Sequence, residues 1–209
     1  MAQASFYKLK EKKQKKIIDA IHNCLHNESY DKLSIIDIAD EADISRASFY
    51  EYFLDKKDAV KTMVVVLIER YQNRFKELLL INDRKLFETI KSCYKELREF
   101  YSNNQSINFN LNLKFLGEFL IEMSNNDIYI NETKKFLDWV KENSVEGKTY
   151  LDSNEKMVLL YKFVIVIFVF SSIENTVDNK IKKVDIENEF YYQLKIVENG
   201  LKSFNDIKI

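Results

Sequence analysis

Residues 34–60 read SIIDIADEADISRASFYEYFLDKKDAV, and the fold turns on how this stretch is punctuated. Ser34 stands before a short helical run, with Leu33 before it and Ile38 after it placed as a hydrophobic staple. Ser45 repeats the arrangement between Ile44 and Phe49. A serine oxygen accepts from the exposed N–H groups of a helix's first turn, and the flanking apolar pair fixes the angle at which the chain enters. Asp55 can cap the next helix, with Asp58 in its first turn. The spacing predicts helices over 35–42 and 46–53, each too short to bury enough surface alone. Two such helices must pack as a tight angular pair, a helix-turn-helix. Asp43 is the turn residue, a type that tolerates left-handed backbone better than most.

Outward from this stretch, helical periodicity recurs in both directions. A preceding helix is predicted from about Lys10 to Asn27, with Ile17, Ile18, Ile21, Cys24 and Leu25 on one face. A following one starts near Lys56 and runs toward Leu80, and further helices cover 84–102, 109–125, 129–146, 154–178 and 185–204. Composition agrees. The 209 residues include no proline and three glycines, too few for many turns or sheets, while 46% hydrophobic residues supply a core and 31% charged residues solvate the surface. The fold class read from these features is all-α.

Function classes narrow on the same grounds. Cys24 and Cys93 form no Cys-x-x-Cys pair, so no disulfide framework or zinc site is expected and a reducing cytoplasm fits. The polar, lysine-rich start is not a secretory signal, and the longest apolar run, Phe163 to Phe170, is far below the ~20 residues that span a bilayer. A soluble, cytoplasmic protein without membrane contact is expected. The net charge of −1 decides nothing about nucleic acid. Its distribution is more telling: lysines 8, 10, 12, 13, 15 and 16 face one acid, Glu11. His22 and His26 lie one helical turn apart, but no third ligand is evident, so no metal is expected. No glycine-rich phosphate loop, nucleophile elbow or histidine-bearing triad is present, which argues against an enzyme and against a cofactor.

The pattern of Ser34, Ile38, Ala39, Ala42, Ile44, Ser45, Ala47, Ser48, Tyr50, Tyr52, Phe53 and Lys56 resembles the DNA-binding signature of the TetR/AcrR regulators, over about residues 10–62. One departure is plain: the turn usually carries glycine, and Asp43 stands there, adding negative charge at the DNA-facing edge. The resemblance implies an N-terminal three-helix helix-turn-helix domain, residues 1–56, followed by a larger helical bundle, 57–209, for ligand binding and dimerisation. It implies a transcriptional regulator, a repressor released from a palindromic operator by a small-molecule effector. A TetR-fold module controlled by a protein partner is the alternative.

The second helix of such a motif enters the major groove while the first crosses the backbone. Arg46 is the best base reader, since its guanidinium can pair bidentately with guanine; a phosphate contact or a surface ion pair is its other reading. Ala47 and Ser48 are small enough to let the helix sit deep, and either could touch a base edge. Ser34, Ser45, Tyr50, Tyr52 and Lys56 are candidates for phosphate. Tyr50 and Tyr52, two apart, cannot share one helical face.

One such module covers too little DNA for strong specificity, and a symmetric dimer on double-stranded operator DNA removes that limit. The helix from Asn154 is apolar nearly all round between Val158 and Ile173, which calls for partners on both sides. The last helix carries Ile186, Phe190, Leu194, Val197 and Leu201 on one face. By resemblance, these last two long helices form a homodimer interface. Tyr94, Phe115, Phe119, Met123, Trp139, Tyr161 and Phe168 are bulky residues on helices expected to face inward. They are either plain core or the lining for an apolar or aromatic effector.

Overall fold

The computed structural model describes residues 2–102, 117–119, 121–122, 125–174 and 183–203, and all regular structure among them is helical. The helices are α1 (Ala4–Tyr7), α2 (Glu11–Asn27), α3 (Ile35–Ala42), α4 (Arg46–Tyr52), α5 (Lys56–Ile81), α6 (Leu86–Ser102), α7 (Asp127–Asn143), α8 (Asn154–Glu174) and α9 (Lys183–Ser203). The all-α expectation holds, and the elements match the predicted periodic segments within about three residues at each described end. Two differences stand out. α1 was not expected, and the helix predicted over 109–125 lies largely outside the described residues.

The chain forms two compact units, one from residues 1–71 with 100–122 and one from 72–99 with 123–209. In the first, α2 packs on α3, α3 on α4, and α4 on α1. The stripe predicted for α2 is the buried one: Ile17, Ile18 and Ile21 are fully enclosed and Leu25 nearly so. Ile38, Ala39 and Ala42 of α3 are buried as well, as are Phe49, Phe53, Val60 and Met63. Asp55 caps α5 by accepting from the Asp58 N–H at 2.7 Å, and the Asp58 carboxylate accepts in return from the Leu54 N–H at 3.0 Å.

In the second unit, Leu86, Phe87, Ile90 and Tyr94 of α6 share a core with Val140, Met157, Leu160, Ile167, Phe190, Leu194 and Leu201. α8 buries one side here. On its other side Val158, Phe163 and Val166 are 38%, 45% and 51% exposed. No helix among the described residues is long and apolar enough to cross a membrane.

The turn between α5 and α6 is fastened to the one after α7. Asp83 and Arg84 both take left-handed backbone. The Val145 N–H donates to the Arg84 carbonyl at 2.8 Å, and the Glu146 carboxylate accepts from the Leu86 N–H at 2.8 Å, closing the start of α6. Gly147 makes the close approach possible, since a β-carbon there would overlap the Lys141 backbone carbonyl. Gly147→Ala is therefore expected to cost about 1–3 kcal/mol through overpacking against backbone that cannot give way. Urea denaturation followed by circular dichroism measures it, and a midpoint equal to wild type would contradict this reading of the turn.

Candidate nucleic-acid interface

The helix pair predicted from its caps is present with those caps. The Ser34 hydroxyl accepts from the Asp37 N–H at 3.2 Å, and the Asp37 carboxylate accepts from the Ser34 N–H at 2.9 Å, a reciprocal capping box. This hydrogen bonding to Ser34 holds the Asp37 carboxyl below the usual carboxylate range. Ser45 caps α4 by accepting from the Ser48 N–H at 3.0 Å, and the Ser45 hydroxyl also donates to the Ser48 hydroxyl.

Between them, Asp43 ends α3 with φ 54° and ψ 53°. The next N–H, of Ile44, reaches back to the Ala39 carbonyl at 2.9 Å, which closes the helix in the manner of a Schellman motif. A left-handed position favours glycine, and aspartate is among the few side chains that tolerate it. The negative charge placed here is answered from α2: Lys16 Nζ lies 2.9 Å from the Asp43 carboxylate. The hydrogen bond from Lys16 pulls the Asp43 carboxyl below its ordinary range. Both side chains are largely exposed, so the pair sets local charge more than it adds stability.

α4 is sharply divided. Phe49 and Phe53 are fully buried, 5.2 Å apart between ring centres, while Ser45, Arg46, Ala47 and Tyr50 are exposed and Ser48 half-exposed. The two tyrosines occupy different faces, as their spacing demands. Tyr50 is 46% exposed and Tyr52 only 6%, its ring in the core beneath Lys13 at 5.7 Å. Lys56 donates to the Tyr30 and Leu33 carbonyls, each at 2.8 Å, with its ammonium over the Tyr30 ring at 4.4 Å. In this state it clamps the segment leading into α3. Ser34 lies at the start of α3, half-exposed. Ser45, Arg46, Ala47, Ser48 and Tyr50 thus form one solvent-facing edge, which can present a guanidinium, hydroxyls and a helix N-terminus to a polyanion.

The residues singled out for an effector are distributed differently. Tyr94 is stacked on Phe190 at 3.6 Å with 5° between planes, and Phe168 meets the Tyr94 edge at 5.7 Å. Trp139 packs against this core with Lys76 over its ring at 5.4 Å, and Tyr161 is half-buried. Phe119 is buried and belongs to the first unit, whereas Phe115 and Met123 lie outside the described residues. Phe190 and Tyr191 complete the aromatic group, with ring centres 5.7 Å apart. In the sequence Phe190 is one residue of an apolar stripe, and nothing local marks its ring as the partner of Tyr94. No group of three or more metal-ligating side chains occurs among the described residues. Burial pushes the His22 imidazole below its ordinary pKa.

Residues 17–61 match the family of bacterial regulatory proteins called the tetR family. The chain is also similar in structure to the fatty acid degradation regulator FadR from Bacillus halodurans, with a TM-score of 0.59, 16% identity, and 91% of this chain and 96% of that one covered. A Mesorhizobium loti protein assigned to the TetR family aligns with a TM-score of 0.60 at 14% identity, covering 89% of this chain and 95% of its own. A Pseudomonas aeruginosa protein assigned as a transcriptional regulator aligns with a TM-score of 0.59 at 12% identity, covering 96% and 95%. At such identities these likenesses show the fold. No curated protein sequence matches the chain.

The caps carry a measurable signature. Ser45→Ala is expected to cost about 1 kcal/mol, the usual worth of a serine N-cap. The Asp37 carboxyl is held below its unfolded value, so its contribution is fully present above about pH 4 and is lost as pH falls through the lower folded value. Asp37→Asn should flatten the decline of the urea midpoint as pH falls below about 4, the ordinary range of an aspartate carboxyl. An unchanged acid slope would show that the capping box does not hold in solution.

Proposed function

We propose that this chain, a DNA-binding transcription regulator of the TetR family, binds a palindromic operator as a homodimer and is a repressor released by an apolar or aromatic small molecule. The observation that carries the reading is the division of α4, with Phe49, Tyr52 and Phe53 turned into the core and Arg46, Ala47, Ser48 and Tyr50 turned out. In this account Arg46 reads a base edge and Ala47 allows close approach. Ser34, Ser45 and Tyr50 give hydroxyls to the phosphates, and Ser48 can touch a base edge. Tyr52 and Lys56 act mainly by holding α4 and the start of α3 in place.

The dimer reading is supported by the outward apolar side chains of the last two long helices. These are Val158, Phe163 and Val166 on α8, and Tyr192 and Ile196 on α9, the last two 72% and 71% exposed. Exposure of this kind on a buried-type helix is what a partner helix would cover. The effector reading assigns residues 1–56 as the DNA-binding domain and 57–209 as the ligand-binding and dimerisation domain.

Duplexes selected from a random library by the full chain provide the test. Arg46→Ala should relax preference at one base pair per half-site, and Tyr50→Phe should weaken binding evenly across sequences. Wild-type affinity should fall steeply with added salt, as expected when several phosphates are neutralised. If both variants bind as wild type does, α4 is not the reader. Lys16→Ala leaves the Asp43 charge unanswered and should weaken binding severalfold, while the Lys16→Ala/Asp43→Asn double variant should regain most of the loss. A double variant no better than Lys16→Ala would show that Lys16 acts on DNA and not through Asp43.

A further inference from the structure

The residues before α2 are tied to the C-terminal end of α4. A helix leaves its last carbonyls without partners inside the helix. In α4 the Phe49 carbonyl is taken by the Phe53 N–H at 2.9 Å, and those of Tyr50, Glu51 and Tyr52 follow it. All three are met from the N-terminal segment. Gln3 Nε2 donates to the Tyr50 carbonyl at 3.0 Å, the Ser5 hydroxyl donates to the Glu51 carbonyl, and the Gln3 N–H donates to the Tyr52 carbonyl at 2.8 Å. Phe6 anchors the segment: it is fully buried, 5.2 Å from the Phe53 ring and 6.5 Å from that of Tyr52. The Ala2 N–H reaches α5 at the Thr62 hydroxyl, 3.0 Å away, and that hydroxyl donates to the Asp58 carbonyl at 2.8 Å. Residues 2–7 therefore strap the end of α4 to α5.

Seven residues are far below the length at which a helix persists in water. Ser45 holds the first turn of α4, and Phe53 leaves its last turn in extended backbone with no left-handed cap. The strap supplies what that end lacks.

We propose that residues 2–7 are a positioning element for DNA reading, with Gln3 and Phe6 acting through α4 to keep Arg46 in register with its base pair. This rests on the reading of α4 as the recognition helix. A positioning role and a plain stabilising role differ in what they do to specificity. A strap that only stabilises the fold leaves a fully folded variant with wild-type preference. A strap that aims α4 changes the ratio of specific to non-specific binding, because phosphate contacts tolerate small tilts that a bidentate base contact does not.

The test compares wild type, Gln3→Ala, Phe6→Ala, Phe6→Leu and Arg46→Ala on the selected duplex and on a scrambled duplex, below the unfolding transition of every variant. Phe6→Ala should lose about tenfold in affinity for the selected site, with scrambled-duplex binding within about twofold. Gln3→Ala should lose severalfold, and Phe6→Leu should recover most of the loss. Without DNA, the α4 amides of Phe6→Ala should exchange faster while those of α8 do not. If Phe6→Ala is unfolded, Gln3→Ala and Phe6→Leu carry the decision. Strap variants with a wild-type ratio of the two affinities, alongside a defective Arg46→Ala, would overturn the strap alone. An Arg46→Ala variant indistinguishable from wild type would overturn the reading of α4, and the strap proposal with it.

Discussion

α4 is held at both ends by groups that do not belong to it, and the proposed DNA reading depends on that arrangement. Ser45 closes the first turn of α4 and the Gln3–Phe6 segment closes the last, while Phe6, Phe49 and Phe53 form the aromatic floor between. The helix itself has only seven residues. Its backbone geometry is set by tertiary contacts rather than by its own propensity, so the placement of its outward edge, and of the Arg46 guanidinium proposed to read a base, depends on the core beneath it.

The same logic governs charge at this edge. An aspartate in the turn between the two helices brings a negative charge to the edge proposed to meet phosphates, and the chain answers it with Lys16 from the neighbouring helix. The second unit follows a different principle. Its interior is secured by a parallel stack of Tyr94 on Phe190 with Phe168 at the edge, and α8 turns a second apolar side outward. Among the described residues only one of those two sides is covered, which is the basis of the proposed dimer.

Much of the fold was legible because its signals are local. Ser34, Ser45 and Asp55 act within four residues of themselves, so their caps, and the helices they open, can be read from the chain alone. The Ile17/Ile21/Leu25 stripe was legible for the same reason. What could not be read are partnerships across distance. α1 has four residues, too few for a period, and the carbonyls that accept from the side chains of Gln3 and Ser5 at its start lie 47 and 46 positions away. Spacing also showed that Tyr50 and Tyr52 must diverge, but not which one would be buried; the Phe6 ring, invisible as a partner, is among the contacts that draw Tyr52 inward. The pairing of Lys16 with Asp43 and the stack of Tyr94 on Phe190 are likewise tertiary facts. Several lysines of the N-terminal run looked equivalent, and only packing distinguishes Lys16 from the rest.

Methylation interference on a duplex selected by the full chain tests the central claim most directly, because it reports which groove is read and whether the contact is doubled. Methyl groups on guanine N7 project into the major groove, and those on adenine N3 into the minor groove. A dimer reading DNA through Arg46 of α4 predicts that guanine N7 methylation blocks binding at two symmetry-related positions, and that Arg46→Ala abolishes this interference. Interference confined to adenine N3, or a single unpaired position unaffected by Arg46→Ala, would contradict the account.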